Sequence, residues 1–333
     1  MRAVVTGAAG FIGSHLCEHL LESGDEVVGI DCLSDSYDPY RKESNAARLT
    51  EWASFRLVRA DLAKSVDAAL VRDADVVYHL AGESGTRPSW GVRFAAYAER
   101  NVVGTWRLLD AARDARLRKF VHASCASVYG AASGRRTPES ALLQPISPYG
   151  ASKLATESLC EAYRRTWHVP VASLRLFSVY GARQRPDLAL GRLVAAATSR
   201  QPFLLYGAGD QTRDLVHVSD VVSLMRAAAL SSRTGVVNIG TGSSVSLLEL
   251  IRMVGDLVRP VDVVRLPEQP GAVRHCTADV TLERAWFGYT PHSSLVDGLA
   301  ELVTHHSSEE TTASPQVVVP FRLFDDSPSR ARP

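Results

Sequence analysis

The chain has 333 residues, 46% hydrophobic and 22% charged, with a formal net charge of +1 at pH 7. That balance describes a soluble chain able to bury a large core in one or two domains. It offers no field for nucleic acid or an anionic membrane, and no apolar run approaches the ~18 residues of a membrane span, so a small-molecule partner is expected instead.

In chain order, Arg2–Thr6 reads as a short buried strand that leaves no room ahead of it for a signal peptide. Gly7-Ala8-Ala9-Gly10-Phe11-Ile12-Gly13 follows at once, then an apolar-periodic helix through Leu16, Leu20 and Leu21, closed by Gly24. Glycines at a strand-to-helix turn let the backbone approach a pyrophosphate, whose charge sits on the helix N-terminus. A second strand, Glu26–Ile30, ends in Asp31, which is 24 residues after Gly7. A carboxylate there suits an adenosine ribose diol and repels a 2′-phosphate, so NAD is favoured over NADP.

Further strands are predicted at Phe55–Ala60, ending in Asp61-Leu62, at Asp75–Leu80, ending in Ala81-Gly82, at Lys119–Ala123, ending in Ser124, and at Val171–Leu176, ending in Phe177. Their alternation with helices predicts an α/β fold with a doubly wound parallel sheet, ligands binding outside the strands' carboxyl ends. The expected division is a dinucleotide-binding domain over residues 1–180 (with a strand and helix from about 212–240), a smaller mixed α/β lobe over 181–304, and a polar tail over 305–333 in which Val317–Phe324 could dock. Five cysteines (Cys17, Cys32, Cys125, Cys160, Cys276) are odd in number and lack metal-ligand spacing, which fits a reducing cytoplasm and no metal.

The run Ser147-Pro148-Tyr149-Gly150-Ala151-Ser152-Lys153 stands out because only four lysines occur among 37 basic residues. Pro148 can start a helix, on which Tyr149 and Lys153 share a face. An ammonium beside a phenol favours phenolate, lowering its pKa from about 10 and producing a general base for an alcohol. An ordinary amphipathic helix start is the alternative.

These residues resemble the extended short-chain dehydrogenase/reductase family, the nucleotide-sugar epimerases and dehydratases. The likeness runs from Met1 to about Val303 through Thr6–Gly13, Asp61-Leu62, His79-Leu80-Ala81, Asn101-Val102-Val103-Gly104-Thr105, Ser127-Val128-Tyr129-Gly130, Tyr149–Lys153, Arg213-Asp214 and Asn238-Ile239-Gly240. It implies NAD held by Gly7, Gly10, Phe11, Ile12, Gly13, Asp31, Cys32, Asp61, Leu62, Leu80, Ala81, Gly82, Asn101, Ser124, Tyr149, Lys153 and Phe177. It also implies a nucleoside-diphosphate sugar between the lobes, Tyr149 as base, Lys153 on the nicotinamide ribose, and a homodimer through the Tyr149 helix and the helix after Asn101.

Within the family, Asp31–Lys42, Gly85-Thr86-Arg87 and Ser178-Val179-Tyr180-Gly181…Arg185-Pro186-Asp187-Leu188-Ala189-Leu190 are similar to UDP-glucuronate 4-epimerases. A uronate carries a carboxylate that a guanidinium fork grips bidentately. Arg185 would supply the fork, with Ser178 and Ser127 as hydroxyl donors and Gly85 and Arg87 alongside. Arg213, Arg192 and Arg274 are candidates for the phosphates or uracil, and Gly271-Ala272 stands where relatives often show Gly-Asp. Dehydratases and decarboxylases of the family place an acid near the Val-Tyr-Gly, because a departing hydroxyl must be protonated; Ser124-Cys125-Ala126-Ser127 holds none. Relatives usually have Ser or Thr where this chain has Cys125, a weaker donor, so Cys125, Ser124 or Ser127 would contact the sugar oxygen. The reading is an NAD-dependent UDP-sugar 4-epimerase acting on UDP-glucuronate; the alternatives are a UDP-glucose/galactose 4-epimerase or a catalytically weak NAD- and nucleotide-sugar-binding protein.

Overall fold

A computed structural model of the chain describes residues 1–131, 136–268 and 273–312, and the side chains as far as 308. The elements in chain order are β1 (Arg2–Thr6), α1 (Phe11–Glu22), β2 (Glu26–Asp31), α2 (Pro39–Thr50), β3 (Phe55–Arg59), α3 (Ala68–Arg72), β4 (Val76–His79), α4 (Phe94–Tyr97), α5 (Gly104–Arg113), β5 (Lys119–Cys125), α6 (Pro148–Thr166), β6 (Val171–Leu176), β7 (Ser178–Tyr180) and α7 (Ala189–Ser199). Then follow β8 (Phe203–Tyr206), β9 (Thr212–Arg213), β10 (Leu215–His217), α8 (Val218–Leu230), β11 (Gly235–Ile239), β12 (Val245–Ser246), α9 (Leu247–Leu257), β13 (Val263–Leu266), β14 (His275–Cys276), α10 (Thr281–Phe287) and α11 (Leu295–Thr312).

Seven strands form one parallel sheet in the order β11-β6-β5-β4-β1-β2-β3. The direction of strand order reverses between β1 and β4, and the carboxyl ends of both open onto the same rim. Short apolar runs such as Ala3-Val4-Val5 and Val76-Val77-Tyr78 are fully buried because helices cover both faces. On one face α1 and α8 pack together through Leu16, Leu20, Val221 and Met225; on the other lie Leu108, Leu109 and Cys160 of α5 and α6.

β11 lies in the large sheet beside β6, although it follows the small-lobe strands β8, β9 and β10 in sequence. The small lobe holds its own core of Leu190, Leu193, Val194, Leu205, Leu250, Val254, Leu299 and Leu302. The polar composition that begins at 305 does not end a helix: α11 continues to Thr312, with His306 bonded to Thr198 at 3.4 Å. No Gly or Pro interrupts the chain there before Pro315. Val317–Phe324 and Gly271-Ala272 lie outside the described residues. Among those described, no helix is long and apolar enough to cross a membrane.

Candidate active site

A cleft of about 650 Å³ runs along the carboxyl rim of the sheet and under the small lobe, a size suited to a small-molecule site. At one end the β1–α1 turn makes a cradle. Gly7 has φ of +71°, and a Cβ on Gly13 would lie 2.0 Å from the Gly7 carbonyl oxygen, so only glycine lets α1 start this close. Gly10 caps α1 without a side-chain acceptor and the first turn holds no acid. Those helical N–H groups are left for an anion.

Asp31 closes the adenosine side. Its Oδ2 accepts from Ala9 N at 3.0 Å and its Oδ1 from Leu33 N at 2.8 Å, which fixes the carboxylate while leaving lone pairs for a diol. Thr6 Oγ1 accepts the amides of Leu80 and Ala81 at 3.2 and 3.1 Å, locking the β4 turn to β1. Cys32, Asp61, Leu62, Leu80, Ala81, Gly82 and Phe177 line the cleft with Phe11 and Ile12. These observations fit a dinucleotide: a tight glycine turn, free helix N–H groups and an oriented acid at the second strand.

Asn101 sits behind Gly82. Its side chain does not line the cleft; its Oδ1 accepts Glu83 N at 2.7 Å and its Nδ2 donates to Glu83 O and Ser152 Oγ. The turn after β4 has no sheet partner for its backbone, and the buried amide of Asn101 supplies one. Ser124 lines the cleft, but its hydroxyl donates to Glu157, which is buried with Arg175 in an ion pair of 2.8 Å.

Ser147 caps α6, accepting Gly150 N at 3.1 Å, and Pro148 follows at the first helical position. Tyr149 and Lys153 therefore rise from one face of α6 into the cleft, the two side chains buried. Their electrostatics differ from the sequence expectation. Burial pushes the Tyr149 phenol well above its ordinary pKa, the neighbouring Cys125 thiol adds to the rise, and the cation that opposes it is Arg185. Lys153 Nζ donates to Ala123 O at 2.9 Å, and burial lowers its pKa. The phenol is thus neutral in the protein by itself, because desolvation outweighs the positive charge the chain places near it.

Cys125 ends β5 and bridges toward Ser127, with Sγ and Oγ 3.2 Å apart. Ser178 also lines the cleft. Arg185 is held by Asp187 (Nε to Oδ1 3.0 Å, Nη2 to Oδ2 2.9 Å) and by Ser84 Oγ (2.7 Å from Nη1), with its guanidinium 5.2 Å from the Tyr37 ring centre. Arg183, two residues earlier, reaches Glu18 at 3.0 Å and pins this loop to α1. Gly85 holds φ of +109°, and Tyr97 donates to the Ser84 and Gly85 carbonyls, each at 3.1 Å.

Toward the small lobe, Arg87 stacks 4.1 Å from the Tyr206 ring centre, and Arg192 lies 6.0 Å from the same ring. Burial lowers the pKa of Arg192 and of Arg213, and Arg192 Nε has no hydrogen-bond partner, so this end holds cationic donors poised for an anion. Arg274 is more exposed and turns toward Asp210 at 3.4 Å. Every predicted site residue except Asn101 lines the one cleft. Tyr37, Ser84, Asp187 and Tyr206 also line it, and sequence reasoning gave them no role because they sit in loops or at a short edge strand without periodicity.

The glycine cradle, the strand-end acid and the buried Tyr–Lys face together point to one group of proteins, and comparison with known sequences decides it. Residues 3–240 match the NAD dependent epimerase/dehydratase family. The chain belongs to that family. A probable UDP-glucuronate 4-epimerase of Rhizobium meliloti (strain 1021) is 34% identical over 91% of this chain and 96% of its own length. Among solved structures, the UDP-glucuronic acid 4-epimerase of Bacillus cereus, in complex with UDP-glucuronic acid and NAD, has a TM-score of 0.90 and 38% identity, covering 93% of this chain and all of that one. MoeE5, in complex with UDP-glucose and NAD, has a TM-score of 0.83 and 38% identity over the same shares. For a family member the parallel seven-stranded sheet is the expected cofactor platform, and its rim holds the cleft described above.

Proposed function

We propose that the chain is an NAD-dependent 4-epimerase interconverting UDP-glucuronate and UDP-galacturonate. The observation that carries this reading is the Arg185 guanidinium, held by Ser84 and Asp187 in the cleft that Tyr149, Ser178 and Ser127 also line. A sugar alcohol at Tyr149 would therefore keep a C5 carboxylate within reach of a guanidinium.

Gly7, Gly10 and Gly13 would hold the NAD pyrophosphate, Asp31 the adenosine ribose, and Lys153 the nicotinamide ribose. When bound, NAD would supply the hydride acceptor and donor for C4. Tyr149 takes the C4-hydroxyl proton and gives it back to the 4-keto sugar after that sugar has turned about its diphosphate linkage. Arg87, Arg192 and Arg213 hold the nucleotide end while the sugar turns. The 4-keto uronate is a β-keto acid that can lose carbon dioxide; Arg185 and Ser178 keep the carboxylate bond out of line with the ketone π system. With no acid among Ser124-Cys125-Ala126-Ser127, loss of a hydroxyl is not assisted.

Incubation with UDP-glucuronate and analysis for the galacto isomer and for any pentose tests this; no galacto product would end it. A second reading, UDP-glucose/galactose 4-epimerisation, is favoured by one observation: Asp187 already neutralises Arg185. Assaying both UDP sugars separates the two. The chain would act as a homodimer through α5 and α6, where Trp106 and, just past α6, Trp167 lie exposed, and its five unpaired cysteines fit a reducing cytoplasm.

A further inference from the structure

We propose that Asp187 sets the sugar selectivity of the cleft by competing with a substrate carboxylate for Arg185; this rests on the reading of Arg185 as the residue that meets the sugar's C5 substituent. A guanidinium has five N–H donors in a fixed fork. In Arg185 the Nε/Nη2 edge is taken by the two oxygens of Asp187, and Nη1 donates to Ser84 Oγ. Two donors remain, one on each terminal nitrogen.

The other charges nearby are already engaged. Glu83 is paired with Arg100 and accepts from Ser36 Oγ at 2.6 Å, and Lys42 donates to Ser34 while lying over the Tyr37 ring, which Arg185 also contacts. Asp187 is therefore the carboxylate bonded directly to Arg185. Its side chain is 43% exposed, against 12% for Arg185, so it covers the guanidinium from the solvent side.

Two consequences follow from this pairing. The fork is held in place before substrate arrives, and its charge is cancelled. A neutral hexose meets a neutral pair and loses nothing. A uronate brings a second carboxylate onto the same guanidinium, and repulsion from Asp187 offsets part of what Arg185 offers. Asp187 thus narrows the gap between uronate and hexose, acting through Arg185 as a positioning residue.

The test compares the NAD-loaded wild-type enzyme with Asp187→Asn, which keeps the shape and one acceptor but removes the charge. The ratio of kcat/KM for UDP-glucuronate to that for UDP-glucose should rise at least ~3-fold in the variant at low ionic strength. The change should lie mainly in the KM for the uronate, and should shrink in about 0.5 M salt because an exposed charge is screened. Asp187→Glu should return the ratio toward that of the wild type. An unchanged or lower ratio, or an equal loss with both sugars (a mere brace for Arg185), overturns the proposal. Calorimetric binding of the two UDP sugars to Tyr149→Phe and to Tyr149→Phe/Asp187→Asn gives the same ratio without turnover. A shift in binding preference with no epimerised product in the wild type would sink the proposed reaction and leave the role of Asp187 standing.

Discussion

Glu283 gives the sharpest stability prediction. It lies in α10 with no solvent exposure, one oxygen accepting Gly240 N at 3.2 Å and the other lacking a hydrogen-bond partner. Burial pushes its pKa up to about 8 from the ordinary 4.5; the Gly240 amide opposes the rise and the Asp214 carboxylate adds to it. Between those two values the folded protein holds one more proton than the unfolded chain, so stability falls as pH rises through that window and is flat on either side of it. The shift amounts to about 5 kcal/mol across the whole window, at about 1.4 kcal/mol per pH unit. From pH 6 to 8 the loss is roughly 2–3 kcal/mol, or about 4 °C in Tm for a chain of this size. Glu283→Gln keeps an acceptor for Gly240 and removes the titration. Thermal unfolding of both proteins at pH 6, 7 and 8 should therefore show a gap that moves with pH in the variant's favour. A wild-type-minus-variant difference that stays constant across that range would refute the reasoning.

Three further predictions concern the cleft. Tyr149→Phe should lower turnover at least ~100-fold, the usual scale for a lost general base, with Tm unchanged; near-normal turnover would remove Tyr149 as the base. Arg185→Ala should slow epimerisation of UDP-glucuronate and release some decarboxylated pentose, detectable by chromatography of the products, whereas an unchanged rate and a clean product would count against its grip on the carboxylate. Gly13→Ala, whose Cβ would meet the Gly7 carbonyl at 2.0 Å, should cost at least ~2 kcal/mol in stability and strip NAD during gel filtration; a variant retaining a full complement would show that the cradle can relax.

The large sheet was legible because most of its first six strands are short, largely apolar runs, and four of them (β1, β2, β3 and β4) end in a polar residue at the rim. The strand and helix expected from about 212–240 correspond to α8 and β11, but nothing in Gly235–Ile239 itself says that the strand pairs with β6 after the small-lobe segment from α7 to β9. Within the site, glycine spacing, Asp31 and the Tyr149–Lys153 face are local patterns and could be read directly. Asn101 was assigned to the cofactor through a family motif, yet its amide is consumed by the Glu83 backbone, a need that depends on how the β4 turn folds. Tyr206 and Tyr37 escaped notice for a related reason. A ring that stacks on arginines from distant segments leaves no spacing signal, and only the folded chain brings Arg87 and Arg192 to the same ring.

The state of Tyr149 follows from counting charges. Burial holds the phenol protonated, and the protein's nearby cations are already committed: Arg185 to Asp187, Lys153 in part to the Ala123 carbonyl. A further positive charge close to the phenol would lower its pKa by stabilising the phenolate. In the proposed reaction that charge belongs to oxidised nicotinamide, and the reduced form lacks it. Tyr149 would then ionise most readily when the sugar hydroxyl must lose its proton, and be present as the protonated phenol when the 4-keto sugar is to be reduced. A phenol kept basic by Lys153 alone would be equally ionised in both halves of the cycle. Burial that holds Tyr149 protonated would thus leave its ionisation to a charge brought by the bound cofactor rather than to the chain's own cations.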